Sequence, residues 1–203
     1  MNFVDRILIG GTIVKGSSIN LTSIEIDKTK KLILAALFAA LTCVGTMIIK
    51  VPTPTLGYIH PGDGFVLLSG LILGPIWGAL AAGFGSALSD LIGGYFIYVP
   101  ATFIIKALTA LVACFVYKAI TKILNSKLEL PQLIISGIAG EAVMAIGYFL
   151  FEIFMLSVVN ETTLSAGLIA STAGIIPNII QGIFGVIIMS VLYPLLKKLS
   201  INQ

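Results

Sequence analysis

Charge is what this sequence has least of. Charged residues make up 10% of its 203 residues, hydrophobic residues 58%, and the mean hydropathy is +1.09. Soluble domains carry about 25% charged residues, so the composition excludes an ordinary water-soluble globule and predicts an all-α integral membrane protein. Histidine is almost missing, with His60 alone. The two cysteines, Cys43 and Cys114, lie in separate apolar runs, without a CxxC or a Cys/His cluster. A disulfide framework and a metal site are therefore not expected, and no cofactor is expected. The sequence has no H-E-x-x-H and no G-x-S-x-G, which argues against an enzyme. GGTIVKGS at 10–17 starts like a phosphate loop but lacks the closing Gly-Lys-Ser/Thr, so no ATPase motif is expected. The first thirty residues do not read as a signal peptide, because Asp5 comes early and the apolar stretch is short.

What is present is a series of apolar runs. Six spans can be drawn, at 31–49, 62–74, 75–94, 100–122, 131–158 and 172–196. About twenty residues cross a hydrocarbon core, so the second span is short and is expected to sit tilted or shielded. The predicted fold is a six-transmembrane-helix bundle over 31–197, preceded by a cytoplasmic N-terminal extension at 1–30 and followed by a cytoplasmic tail at 198–203. The positive-inside rule orients it. With the N-terminus inside, the inner face holds Arg6, Lys15, Lys28, Lys30, Lys31, Lys118, Lys122, Lys127, Lys197 and Lys198, and the outer loops hold only Lys50. Both termini are then cytoplasmic, and the loops at 50–61, 95–99 and 159–171 are outside. Tyr58, Tyr95 and Tyr98 suit an interfacial aromatic belt.

Ionisable groups inside a membrane are costly and point to function. Asp90, Lys106, Glu141 and Glu152 fall within or at the edge of spans three to five. Lys106, Glu152 and Asn178 each lie about six residues, or roughly 9 Å, below the outer surface on three different helices. They predict a pocket open to the outside, or else a Lys106–Glu152 ion pair that only joins helices. Glu141, Tyr148 and Glu152 share one face of span five within about 40°, a set able to grip a polar heteroaromatic molecule. Gln181, a turn deeper than Asn178, and His60 on the first outer loop complete the candidate substrate-binding set. Asp90 is read as a cap or loop holder. Asp63, in the first turn of span two, is read as structural, facing the positive helix end. Small residues form stripes that permit close helix approach: Ala35/Ala39 and Ala36/Ala40 on span one, and Gly78, Ala82, Gly85 and Ser89 on span three.

Four stretches carry a family resemblance: PTPTLGYIHPGDGF, LILGPIWGAL, GSALSDLIGGY and PATFIIKAL. The chain resembles the substrate-binding (S) component of energy-coupling factor (ECF) vitamin transporters, in the riboflavin-type group that includes hydroxymethylpyrimidine and pyridoxine carriers. The likeness covers about residues 27–197. It implies a six-helix subunit of the prokaryotic plasma membrane, with an outward-facing site gated by the loop between helices one and two. It implies three partners, a transmembrane coupling subunit and two ATP-hydrolysing subunits, with nucleic acid not among them. It implies that the Ala35/Ala39 and Ala36/Ala40 pairs meet the coupling subunit, and that the subunit tips over in the bilayer to release its cargo. The cargo would be a small vitamin-like molecule such as pyridoxine, hydroxymethylpyrimidine, riboflavin or a queuosine precursor. Two other classes remain at this point, a stand-alone secondary carrier and an integral-membrane enzyme using His60, Asp63 and Asp90. The orientation predicts that a cysteine replacing Glu161 reacts with an impermeant thiol reagent on whole cells and that one replacing Asn125 does not. The reverse pattern would overturn it.

Overall fold

The computed structural model describes residues 7–9, 12–14, 21–123, 129–159 and 161–201. Arg6, Lys15, Lys127 and Asn125, used above for orientation, lie outside the described residues. A small antiparallel hairpin, β1 (Ile7–Ile9) with β2 (Thr12–Val14), precedes the helices. Helix α1 (Leu21–Ile48) starts ten residues ahead of the expected span, but its membrane-compatible part is Lys28–Ile48. A second ribbon follows, β3 (Val51–Pro52) with β4 (Tyr58–Ile59), whose turn closes with Thr53 N–H on the Gly57 carbonyl at 2.9 Å. Leu56 at its tip is exposed and takes the left-handed region at φ 66°, where a branched side chain is strained.

The ribbon leads into α2 (Asp63–Leu73), α3 (Pro75–Gly93) and α4 (Val99–Ile123). Gly74 at φ 82° separates α2 from α3, and Pro75 fits the first turn of α3 because its missing N–H would have had no partner there. Helix α5 (Glu129–Phe154) runs into a π-helical turn, Met155–Val159. Then come α6 (Leu164–Thr172) and α7 (Ile175–Ile201). Five of these helices are long and apolar enough to cross a membrane, and α2 is a shorter apolar helix. The expected outer loop at 159–171 instead contains α6. Its nine residues are too few to span a bilayer, and the Thr163 hydroxyl caps it by accepting from Ala166 N–H at 3.2 Å.

The bundle is inside-out relative to a soluble protein. Its outer surface carries Leu37, Phe84, Ile146 and Ile183, whereas Lys106, Asp63, Thr109 and Ser69 are fully buried beside Leu67, Leu68 and Met144. Helices approach at backbone distance where small residues allow it. A Cβ on Gly85 of α3 would strike the Ala39 carbonyl of α1, and a Cβ on Gly70 of α2 would strike the Ala110 carbonyl of α4. This contact divides the alanines of α1. Ala35 and Ala39 turn inward, Ala35 into the core and Ala39 onto α3, so only Ala36 and Ala40 remain on the exposed face. The implied double stripe is thus a single one, because the two pairs point to different sides of the helix.

Gly85→Leu should separate α1 from α3 and cost roughly 1–3 kcal/mol or more, as overpacking does. A clear fall in the midpoint of thermal unfolding in detergent is expected, with Ala36→Leu, on the exposed face, close to wild type. Equal behaviour of the two variants would contradict the packing.

Candidate functional site

The loop between α1 and α2 folds back over one end of the bundle and is fastened at four points. The Thr55 hydroxyl donates to Glu152 Oε1 on α5 at 2.7 Å. The Tyr98 hydroxyl donates to the Thr55 carbonyl at 2.7 Å. The Tyr58 hydroxyl donates to Asp90 Oδ1 on α3 at 2.6 Å. The His60 backbone N–H donates to Gln181 Oε1 on α7 at 2.9 Å. His60 itself is buried, and its Nδ1 accepts from Gly62 N–H at 3.1 Å. Burial pushes its pKa down to about 3 from the usual 6.5. The closed loop therefore holds a neutral imidazole. Its stability is full above about pH 6.5 and falls as pH drops towards 3, because the released loop binds the proton more readily.

Beneath this lid is a cavity of about 30 Å³, room for a water or two. Its wall contains Tyr58, Tyr95, Tyr98 and Tyr148, with Glu152 and Asp90 as acids and Thr53, Thr55, Thr102, Asn178, Gln181 and His60 as further polar groups. The aromatic rings form two groups. Tyr58 lies 4.6 Å from Tyr95 and 5.4 Å from His60, and Tyr98 lies 6.4 Å from Tyr148, between ring centroids. Lys50 Nζ sits over the Tyr58 ring at 4.4 Å. Burial, helped by the Asp90 charge, pushes the Tyr58 phenol pKa up, so it remains a donor. Glu152 Oε2 is buried with no hydrogen-bond partner among the described residues.

Five of the candidate residues, Glu152, Tyr148, Asn178, Gln181 and His60, meet at this cavity. Lys106 and Glu141 do not line it. Lys106 is not paired with Glu152. Its Nζ donates to Asp63 Oδ1 at 2.5 Å, and it lies 5.2 Å from the Tyr148 ring centroid. Matching depth on two helices does not set which way each side chain faces, and Lys106 meets Asp63 of α2 and the Tyr148 ring of α5 rather than Glu152. Asp63 likewise does not cap its own helix end. One oxygen takes Lys106 and the other takes Gln181 Nε2 at 2.7 Å. Glu141 lies at a separate groove between α5 and α7. Tyr95 and Tyr98 face the cavity, and Tyr98 is buried, so they do not form a bilayer belt. Thr53, Thr55, Thr102 and Gly174 were not singled out from the sequence. The alternating threonines of PTPT were the one signal that could have drawn attention to the lid.

Breaking a buried ion pair from one side leaves an uncompensated charge, at a cost of about 3–5 kcal/mol. Lys106→Met should therefore lower thermal stability sharply. Lys106→Met combined with Asp63→Asn should recover most of it. Additive losses in the double variant would mean that the two charges act independently.

Comparison with known proteins agrees with this architecture. The family model described as "ECF-type riboflavin transporter, S component" matches residues 26–198. A protein of Pyrococcus woesei, described as "Uncharacterized protein in gap 3'region", is 29% identical over 156 residues, covering 76% of this chain and 93% of that protein. A solved structure described as "Structure and mechanism of the S component of a bacterial ECF transporter" superposes with a TM-score of 0.60 at 25% identity, covering 85% of this chain and 98% of that one. Nearly the whole helical region, lid and cavity included, falls inside the matched residues, and the chain belongs to the ECF-type riboflavin transporter S component family.

Proposed function

We propose that the cavity under the 49–62 lid is the cargo site of this substrate-binding subunit, and that it captures a small vitamin-like heterocycle from outside. The observation that carries this reading is Glu152. One of its oxygens is held by the lid hydroxyl of Thr55, the other is buried without a partner among the described residues, and the side chain lines a chamber walled by tyrosines. A carboxylate in such surroundings favours a partner that brings a hydrogen-bond donor, and the phenol rings of the wall favour an aromatic one. Among the described residues, Glu152 and Asp90 line the cavity while Lys50 only overlies the Tyr58 ring at its edge, which supports a neutral or weakly cationic cargo. Pyridoxine, hydroxymethylpyrimidine, riboflavin and a queuosine precursor all satisfy that description in part. The closed chamber has room only for water, so a cargo must lift the lid and take the place of Thr55.

The fuller assignment has six spans, counting α2, with both termini in the cytoplasm of a prokaryote and the lid outside. Uptake is driven by ATP hydrolysed on two partner subunits, transmitted through a transmembrane coupling subunit that packs on the Ala36/Ala40 face of α1. The distribution of basic residues supports the orientation, and the exposed alanines support the docking face.

The identifying test is mass spectrometry of small molecules released from the purified, denatured protein, followed by titration of each candidate. Glu152→Gln should weaken binding at least tenfold, about 1.4 kcal/mol, while the folded protein keeps its thermal stability. Unchanged affinity would remove Glu152 from the site. Ala36→Leu should abolish uptake in cells and leave cargo binding intact, because its added bulk would hold the coupling subunit away. Concentrative uptake by this chain alone in liposomes would overturn the dependence on separate ATPases.

A further inference from the structure

A second concavity lies on the lipid side of the bundle and has no part in the cargo cavity except a shared wall at Asn178. It runs between α5 and α7 and encloses about 540 Å³. Its length follows from the helices, since residues 134–145 of α5 and 178–191 of α7 line it, about 16–20 Å at 1.5 Å per residue. Its rims are exposed apolar side chains, Ile138 on one side and Ile183 and Ile187 on the other. Its floor is different. Glu141 lines the groove, is 6% exposed, and neither carboxylate oxygen has a hydrogen-bond partner among the described residues. Ser190, further along the floor, has a buried hydroxyl oxygen with no partner either.

The carboxylate lies low because glycines face it. A Cβ on Gly182 would be 3.0 Å from Glu141 Cβ, and one on Gly185 would be 2.8 Å from Glu141 Oε1 and 3.0 Å from Asp63 Cβ. Two acids, Glu141 and Asp63, thus approach one another across Gly185, while Lys106 of α4, the one buried lysine among the described residues, is bound to Asp63. Asp63 has Lys106 and Gln181, and Glu141 is the acid left over. A buried acid with no hydrogen-bond partner among the described residues is costly in a hydrocarbon-facing trough, so the occupant complementary to this groove brings a strong donor or a cation to its floor.

We propose that the α5–α7 groove is a binding site for a single-chain lipophilic amine, whose ammonium meets Glu141 and whose hydrocarbon chain lies along Ile183 and Ile187. Two observations select this occupant. Glu141 stands about 12 residues, roughly 18 Å, from either end of α5, beyond the reach of a phospholipid headgroup seated at the membrane surface. The acid is also recessed below the isoleucine rims, so a packed helix would rest above it, while a slender chain can enter. The site is distinct from the cargo cavity and would stand if the cargo assignment failed.

The test uses the full-length protein in lipid nanodiscs and dodecylamine carrying a photoreactive diazirine in its chain. The alcohol and the carboxylic acid of the same chain serve as comparisons. Saturable labelling by the amine, mapped to peptides around Ile183 and Ile187 and at least tenfold above the acid, is expected. Glu141→Gln should reduce amine labelling at least tenfold and leave labelling by the alcohol nearly unchanged. Ile183→Trp, which fills the groove from its rim, should reduce labelling by both amine and alcohol while thermal stability is retained. Three results would overturn the proposal: labelling that does not saturate, equal labelling by amine and acid, or amine labelling indifferent to Glu141→Gln, as expected if Glu141 is a neutral acid bonded inward to Asp63. Failure of the amine to label, together with loss of complex assembly in Ile183→Trp, would identify the occupant as a helix of a partner protein and would also overturn it.

Discussion

The ion pair between Lys106 and Asp63 is the interaction around which the lid-bearing half of the bundle is organised. Both side chains are fully buried, and each belongs to a different helix, α4 and α2. Neither charge could be tolerated there alone. The second oxygen of Asp63 takes Gln181 from α7, and the carbonyl of that same glutamine takes the backbone of His60. One carboxylate therefore fixes the mutual position of three helices and, through a single amide, the inner end of the lid. The short helix α2 has too few residues to be held by its own length in a bilayer, and its polar attachment at Asp63 and close contacts at Gly70 hold it instead.

Above this layer, the lid and the cavity are made of one set of hydrogen bonds. Thr55, Tyr58 and His60 each reach a different helix, α5, α3 and α7. Lid position thereby reports on the spacing of those helices. The polar groups that close the loop are those that wall the chamber, so under the proposed function closure and cargo binding would compete for the same oxygens. His60 adds a dependence on protonation, because its neutral ring accepts from Gly62 in the docked loop.

The sequence made the class of the protein plain, and much of its helix plan, because long apolar runs and the distribution of lysines follow from the membrane itself. Five of seven candidate residues reached the cavity because a polar residue near the outer end of a span has few places to point. Lys106 and Glu141 went elsewhere for a related reason. Height along α4 or α5 fixes the depth of a polar side chain and not which neighbouring helix it meets, and Lys106 is engaged by Asp63 of α2. The alanines of α1 show the same limit. Residues 35, 36, 39 and 40 are equivalent in composition, and only the contact of Ala39 with Gly85 reveals which pair is spent inside. The lid threonines were hidden because their partners lie about a hundred residues away in the case of Thr55 and Glu152, joined by a loop with no periodic pattern.

Leu56 has an energetic meaning. At the lid tip it is held in the left-handed region with its side chain in solvent, a conformation that costs an ordinary residue about 1–2 kcal/mol. A freed loop can leave that region at once, so the cost belongs to the docked lid alone. The fastening bonds are thus opposed by a built-in recoil. That recoil lowers the population of the docked loop relative to the released one by roughly five- to thirtyfold compared with an unstrained tip, so the loop is fastened less firmly than its hydrogen bonds alone would hold it.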